Sequence, residues 1–306
     1  MNTKARLFSQ KNKSNRLWLV FFIMLVLLLI GWYLSLRLGA VNYSHDQLLA
    51  TLKHPFQDSN TQDVIIDLRL PRILAASLVG AAMAQAGAIM QGVTRNPIAD
   101  PGLLGINAGA GLALILAYAF FGSLHYSLIL LVCLIGSTLA AVLIFGLSYQ
   151  PRKGYHQLRL ILAGAMIATL FSALGQAVTL YFDLSTTVIG WQAGGLAQLN
   201  WNMLAVIAPI ILIGLALSQL FAHQLTILSL DETVAKALGQ ATLTITMLLL
   251  GIVLLLSAAS VALIGSIAFV GLIIPHFIGL FVAKDYRLLL PLTAFAGATF
   301  MIWVDL

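Results

Sequence analysis

Charge is scarce in this chain of 306 residues. Lys and Arg number 16, Asp and Glu 10, and charged residues make up 8% of the whole, against about 25% in soluble domains. A soluble globular protein and a disordered chain are both excluded. Cysteine is nearly absent: Cys133 stands by itself deep in an apolar run, which excludes a disulfide scaffold. There is no G-x-x-x-x-G-K-[ST] and no Gly-Lys pair, so the chain carries no P-loop of its own. Six histidines (His45, His54, His125, His156, His223 and His276) are scattered, and no Cys or His cluster suits a metal. No catalytic acid or histidine cluster stands at membrane depth, which argues against an enzyme.

What remains is apolar: 60% hydrophobic residues and a mean hydropathy of +0.99. The runs are continuous and do not alternate, which points to an all-α polytopic membrane protein and away from a barrel. A charge at mid-membrane costs about 2.5–3.5 kcal/mol, so charges mark the span ends. The charge-free stretches are 17–36, 73–94, 102–151, 160–182, 184–230, 237–283 and 288–304. Stretch 102–151 must hold two helices, turning near Gly122–His125. Stretch 237–283 holds two more, breaking near Ser257–Gly265. Stretch 184–230 holds one, about 201–222, after a Gly-rich polar surface segment. The expected total is nine spans, behind a basic tail over 1–16, with the transmembrane domain filling 17–306. The first apolar run is too long for a signal peptide and lacks a cleavage site, so it is expected to remain as a span.

Orientation follows from Lys and Arg. With the N-terminus in the cytoplasm, 12 of the 16 lie inside: five in the tail, then Arg95, Arg152, Lys153, Arg159, Lys236, Lys284 and Arg287. The segment 37–69 becomes an external loop and 223–240 a cytoplasmic one. The net charge of +6 is a topology signal and calls for no nucleic acid. No span has an ionisable group near its centre. Ion-driven carriers usually keep one there, so energy is expected from a partner. Sodium sites built of carbonyls and hydroxyls would escape this count, which leaves an ion-coupled secondary transporter as the alternative.

Several patterns mark contacts or a path. Gly80, Ala84, Ala88 and Gly92 form a small-xxx-small ladder in the second span, and Gly105, Gly109 and Ala113 repeat it in the third. Gln85, Gln91 and Asn107 must find partners in lipid, either as interhelical hydrogen bonds or along a polar path. In the fifth span Thr169, Ser172, Gln176, Thr179 and Asp183 share one face. That stripe lines a water-filled cavity or forms a buried seam. Arg95–Gly102, with two prolines, reads as a rigid turn or as a gate. Leu228–Gly239 reads as a short amphipathic helix, N-capped by Ser229 and C-capped by Gly239. It lies on lipid or docks a cytoplasmic protein. Pro275 should kink the eighth span beside His276.

The motifs R-L-P-R (69–72), Q-G-V-T-R-N-P-I-A-D-P-G-L-L-G (91–105) and L-A-G (162–164) occur in this order. W-Q-A-G-G (191–195), A-K-A-L-G (235–239), F-V-G-L-I-I-P-H (269–276) and D-Y-R-L-L-L-P (285–291) follow. Together they resemble the FecCD-type permease subunits of ABC importers for iron-siderophores, haem and cobalamin. The resemblance implies a ten-helix permease in the plasma membrane, paired with itself or a homologue, with the path between the two copies. It implies two cytoplasmic ATPase subunits that use the ATP, an external substrate-binding protein, and no cofactor or metal bound by this chain. By resemblance Arg69 and Arg72 dock the binding protein, and Asn96 and Ile98 form a cytoplasmic gate. The segment with Asp231, Glu232, Ala235, Leu238 and Gly239 contacts the ATPase, and the fifth-span stripe faces the path. Two departures stand out. Gly279 takes the place of a family Arg, and the sequence stops at Leu306, where a tenth helix and a third docking Arg are expected.

Overall fold

The computed structural model describes residues 3–53, 60–102, 105–122, 124–150, 154–155, 157–184, 196, 199–230, 232–282 and 285–306. Nearly all of these are helical. Helix α1 spans Thr3–Arg37 and α2 spans His45–Lys53. A π-helical segment, Asp63–Arg69, leads into α3, Leu70–Thr94. Then follow α4 (Ile106–Phe121), α5 (Tyr126–Ser148), α6 (Gln157–Tyr181), α7 (Trp201–Leu220) and α8 (Ala222–Leu228). The chain ends with α9 (Glu232–Ala237), α10 (Thr242–Ile264), α11 (Val270–Gly279) and α12 (Tyr286–Asp305). The only pairing of strands among the described residues is a two-residue antiparallel rung, Tyr149 opposite Tyr155, between α5 and α6.

Among the described residues, seven helices are long and apolar enough to cross a membrane, and two shorter apolar ones, α4 and α11, fall where further spans were expected. The turn in 102–151 lies where expected, at Gly122, whose φ of 70° closes α4. The break in 237–283 lies at Gly265, the far end of the stretch expected for it. Helix α10 runs unbroken to Ile264 and ends at Gly265 with φ 81°. Its Ser260 hydroxyl donates to the Leu256 carbonyl, so Ser260 sits inside the helix and Gly265 alone ends it. Two boundaries move as well. The first helix begins at Thr3, within the basic tail. The 37–69 loop holds α2 and the π-helical segment. The surface segment expected ahead of α7 lies almost wholly outside the described residues.

Helix α3 is the central element. Most of its side chains, from Pro71 to Gly92, are buried. The expected ladder meets another backbone at Gly80, where a Cβ would collide with the Gly297 carbonyl of α12; Gly87, outside that ladder, makes a second crossing against the Gly271 backbone of α11. Gly109 of α4 and Gly136 of α5 make the same kind of crossing. Without a hydrophobic drive between helices in lipid, such close approach supplies the packing energy.

Gly87→Ala should lower stability by about 1–3 kcal/mol, because backbone must shift to admit the methyl. Gly251→Ala in α10, where a Cβ meets nothing within 4 Å, should cost nothing measurable. Thermal unfolding of the two purified variants in detergent checks the contrast.

Candidate functional site

The three amides, Gln85 buried and Gln91 and Asn107 half-buried, settle into hydrogen bonds with neighbouring segments rather than a polar path. Asn107 Nδ2 donates to the Ile267 carbonyl at 3.0 Å. Gln85 Nε2 donates to the Leu290 carbonyl at 3.1 Å, and its Oε1 accepts from Ser218. Gln91 Nε2 reaches the Gly271 and Leu272 carbonyls at 3.4 and 3.3 Å. Gly271 precedes Pro275 by four residues, so the proline removes that carbonyl's helical partner and Gln91 replaces it from α3. The same repair recurs in α12. Pro291 frees the Arg287 carbonyl, which accepts from Gln219 Nε2 of α7 at 3.0 Å. Prolines are tolerated in spans where neighbouring helices satisfy the freed groups.

The residues expected to act gather at two ends of the bundle. Helices α3 and α12 run antiparallel, so Arg72, near the start of α3, meets Asp305, at the end of α12. The pair is a bidentate fork, Nη2 to Oδ1 at 2.6 Å and Nε to Oδ2 at 2.8 Å. The Arg72 side chain keeps 40% exposure and Asp305 14%. Arg69 is turned onto its own chain. It donates to the carbonyls of Leu36, at 2.7 Å, and Val41, and its guanidinium carbon lies 4.9 Å over the Tyr43 ring. It thereby pins the connection after α1 against α3.

At the opposite end, α3 finishes in a Schellman motif. Asn96 N–H donates to the Gln91 carbonyl and Arg95 N–H to that of Gly92. The left-handed position is filled by Arg95, with φ 53°, where glycine is usual. Asn96 Oδ1 accepts from Ile98 N–H at 3.1 Å, a local turn that fixes the next two residues. Ile98 projects outward, 64% exposed. The expected gate pair is thus one rigid turn with an apolar tip.

The expected coupling helix forms, with three corrections. It begins at Glu232, and Asp231 lies outside the described residues. Ser229 is no N-cap for it: its hydroxyl donates back to Thr226 O at 2.8 Å and finishes α8. Ala235 faces inward, 0% exposed, so it is part of the packing and not of an outer contact face. Leu238 and Val234 face outward instead, 62% and 45% exposed. Gly239 does cap the helix. With φ 76° it allows Gln240 N–H to return to the Ala235 carbonyl at 3.2 Å.

Helix α6 has three faces. Ala163, Ile167 and Gly175 are buried, with Gly175 against Ile115 of α4. Leu162, Met166, Leu170 and Leu174 form an exposed apolar face. Thr169, Ser172 and Gln176 are exposed on the third face, with Thr179 half-buried among them; Asp183, expected on the same face, is exposed two residues past the helix end in a left-handed turn with φ 54°. The stripe is therefore not a seam inside this chain. Thr169 and Thr179 donate to carbonyls one turn back, at 2.9 and 2.8 Å, which covers part of their polarity. Asp183 lies at the Arg72 end, because α6 packs along α4 from Gly105 to Ile115 in the same direction.

The arrangement is a helical bundle with a paired arginine at one end, an apolar-tipped turn at the other and a polar stripe between. The FecCD transport family model matches residues 27–306. The chain belongs to the FecCD transport family. Among curated proteins, the iron(3+)-hydroxamate import system permease protein FhuB of Bacillus subtilis is 36% identical over 282 residues, 92% of this chain and 73% of that one. The molybdate import system permease protein MolB of Haemophilus influenzae is 37% identical over 295 residues, 94% of this chain and 86% of that one. Among solved structures, an ABC transporter of metal-chelate type in an inward-facing conformation superposes with a TM-score of 0.79 at 31% identity. It covers 94% of this chain and 89% of that one. This FecCD family member is thus a transport component and a multi-pass protein of the plasma membrane.

Sequence reasoning missed Asp305 as the partner of Arg72, Gln219 as the partner of a freed carbonyl, and the left-handed Arg95. Prolines four residues beyond a carbonyl could have flagged the second. Nothing local marks the other two.

Replacing Gln91 by Leu should leave the Gly271 carbonyl unsatisfied and cost about 1 kcal/mol. Pro275→Ala restores an N–H four residues on and should cancel most of that loss. Unfolding midpoints of both single variants and the double variant measure the coupling.

Proposed function

We propose that this chain is the membrane-spanning subunit of an ABC importer that carries an iron-siderophore, or a related iron chelate, haem or cobalamin, into the cell. Two ATPase subunits supply the energy from the cytoplasmic side, and an external binding protein delivers the cargo. The single observation that carries this reading is the stripe on α6. It is neutral and polar, exposed on the chain's own surface, and it ends in Asp183 at the Arg72 end, opposite the Asn96 turn. Polar groups facing lipid would be costly, so a second permease subunit enclosing a wet path is the fitting neighbour. Weak, distributed hydroxyl and amide contacts let a large polar cargo leave again. The hydroxamate relative supports an iron chelate as cargo; the molybdate relative gives the competing one.

In this reading the N-terminus and the Asn96 end face the cytoplasm, which the Lys and Arg distribution supports. Arg72 then stands outside, where its exposed fork can meet a carboxylate of the binding protein. Arg69 braces the platform on which it stands. Asn96 and Ile98 form the inner gate. Helix α9 offers Leu238 and Val234 to a groove of the ATPase, and Gly239 leaves the approach open.

Cysteines placed at 172 and 176 should react with an impermeant thiol reagent added from outside, and one at 167 should not. Ser172→Trp should reduce uptake of a ferric hydroxamate at least tenfold with the complex still assembled. Uptake of radiolabelled molybdate in place of the chelate would reassign the cargo. Equal labelling at 167 and 176 would move the path elsewhere.

Arg72→Glu should weaken binding-protein capture at least tenfold, since it leaves two acids facing each other. Leu238→Asp should break association with the ATPase. Surface-binding and co-purification measurements read the two effects separately.

A further inference from the structure

The C-terminal end of α3 is fastened to α8 at several points. The Arg95 Nε donates to the Leu228 carbonyl at 3.0 Å. Leu228 is the last residue of α8, and α9 begins four residues later, at Glu232. One turn back, a Cβ at Gly92 would lie 2.7 Å from Leu225 Cδ1 and 2.8 Å from the Tyr286 hydroxyl. The Thr226 hydroxyl accepts from Tyr286 N–H at 3.0 Å, which ties α8 to the start of α12. The body of the contact, from Gly92 through Leu225 to Tyr286, is buried and apolar. Beyond it, Arg95 sends a side-chain hydrogen bond from the Asn96 turn to α8. A cation meeting a helix C-terminal carbonyl is also favoured by the helix dipole.

The backbone at Arg95 adds a second observation. A residue with a Cβ seldom takes φ 53°, and glycine fits the position better. The turn would form as well or better without this side chain. What the arginine adds is its reach across to α8.

We infer that Arg95 is the positioning residue that ties the gate turn to the coupling segment. The inference rests on the gate and coupling roles proposed above. Displacement of α9 by the ATPase moves the end of α8, and the Arg95 fork carries that displacement into Asn96 and Ile98. The route is short: Glu232 to Leu228, across one hydrogen bond to Arg95, then one and three residues on to the gate pair. The tie exists without any cargo contact, so it governs coupling and not affinity.

The experiment uses the complete transporter in inside-out membrane vesicles, with Ile98→Cys as reporter. The native Cys133 is buried, which leaves position 98 as the reactive site. Labelling at 98 by an impermeant maleimide is followed with and without ATP, together with ATP hydrolysis and cargo uptake. Without further change, labelling should depend on nucleotide. In the Arg95→Gly background the turn is retained and the tie is lost. Hydrolysis should persist within about twofold, uptake should fall at least tenfold, and labelling at 98 should no longer follow nucleotide. Arg95→Lys, which can still reach the Leu228 carbonyl, should restore at least a third of the uptake. If labelling in Arg95→Gly still follows nucleotide, or uptake per ATP is unchanged, Arg95 is not the tie. If Arg95→Lys is as uncoupled as Arg95→Gly, the hydrogen bond is not what matters and the inference fails. If labelling ignores nucleotide even with Arg95 intact, the gate reading is wrong and the tie falls with it.

Discussion

Close approach of helix backbones on α3 is the constraint from which the rest of the structure follows. In lipid, apolar side chains gain little by leaving their surroundings, so stable association requires contact at short range. Gly80 and Gly87 provide it on two faces, admitting α12 at Gly297 and α11 at Gly271. Once those helices lie against α3, their prolines and carbonyls come within reach of its amides. Gln85 and Gln91 then satisfy Leu290 and Gly271, groups that hydrocarbon would leave bare. The glycines bring the helices together and the amides hold them in one register.

The same arrangement sets the two ends. With α12 antiparallel to α3, Asp305 falls beside Arg72 and Tyr286 beside Gly92. One end carries a charged fork that is partly open to solvent. The other carries a turn bonded to itself through Asn96 and to Leu228 through Arg95, leaving Ile98 outside. Helix α6 is held along one face only, which leaves a polar and an apolar face for neighbours beyond this chain.

Transmission between the ends requires elements that move as units. Helix α8 is clasped to α3 through Leu225 and Arg95 and to α12 through Thr226, so it is poorly placed to move independently of either. The short α9 buries Ala235 and presents Val234 and, just past its end, Leu238 outward.

Class, span positions and contact ladder were legible in the sequence because each depends on local composition. A charge-free run must cross or be buried, and glycines four apart must face one neighbour. The face of Thr169, Ser172 and Gln176 was legible for the same reason, since helical periodicity fixes it before any packing occurs, whereas Asp183 leaves that face because the helix ends at Tyr181. The Gly239 cap was legible from a single residue whose backbone freedom the turn requires. What tertiary structure alone decided was which side of a short helix faces in, and which distant group each polar residue meets. Ala235 and Leu238 differ little as helix formers, and only packing against the bundle turned one inward. Arg72 and Asp305 are far apart in the chain, and no local signal joins them. Their pairing follows from the antiparallel crossing that Gly80 and Gly297 permit, because hydrogen bonds across helices depend on register, and register is a property of the assembled bundle.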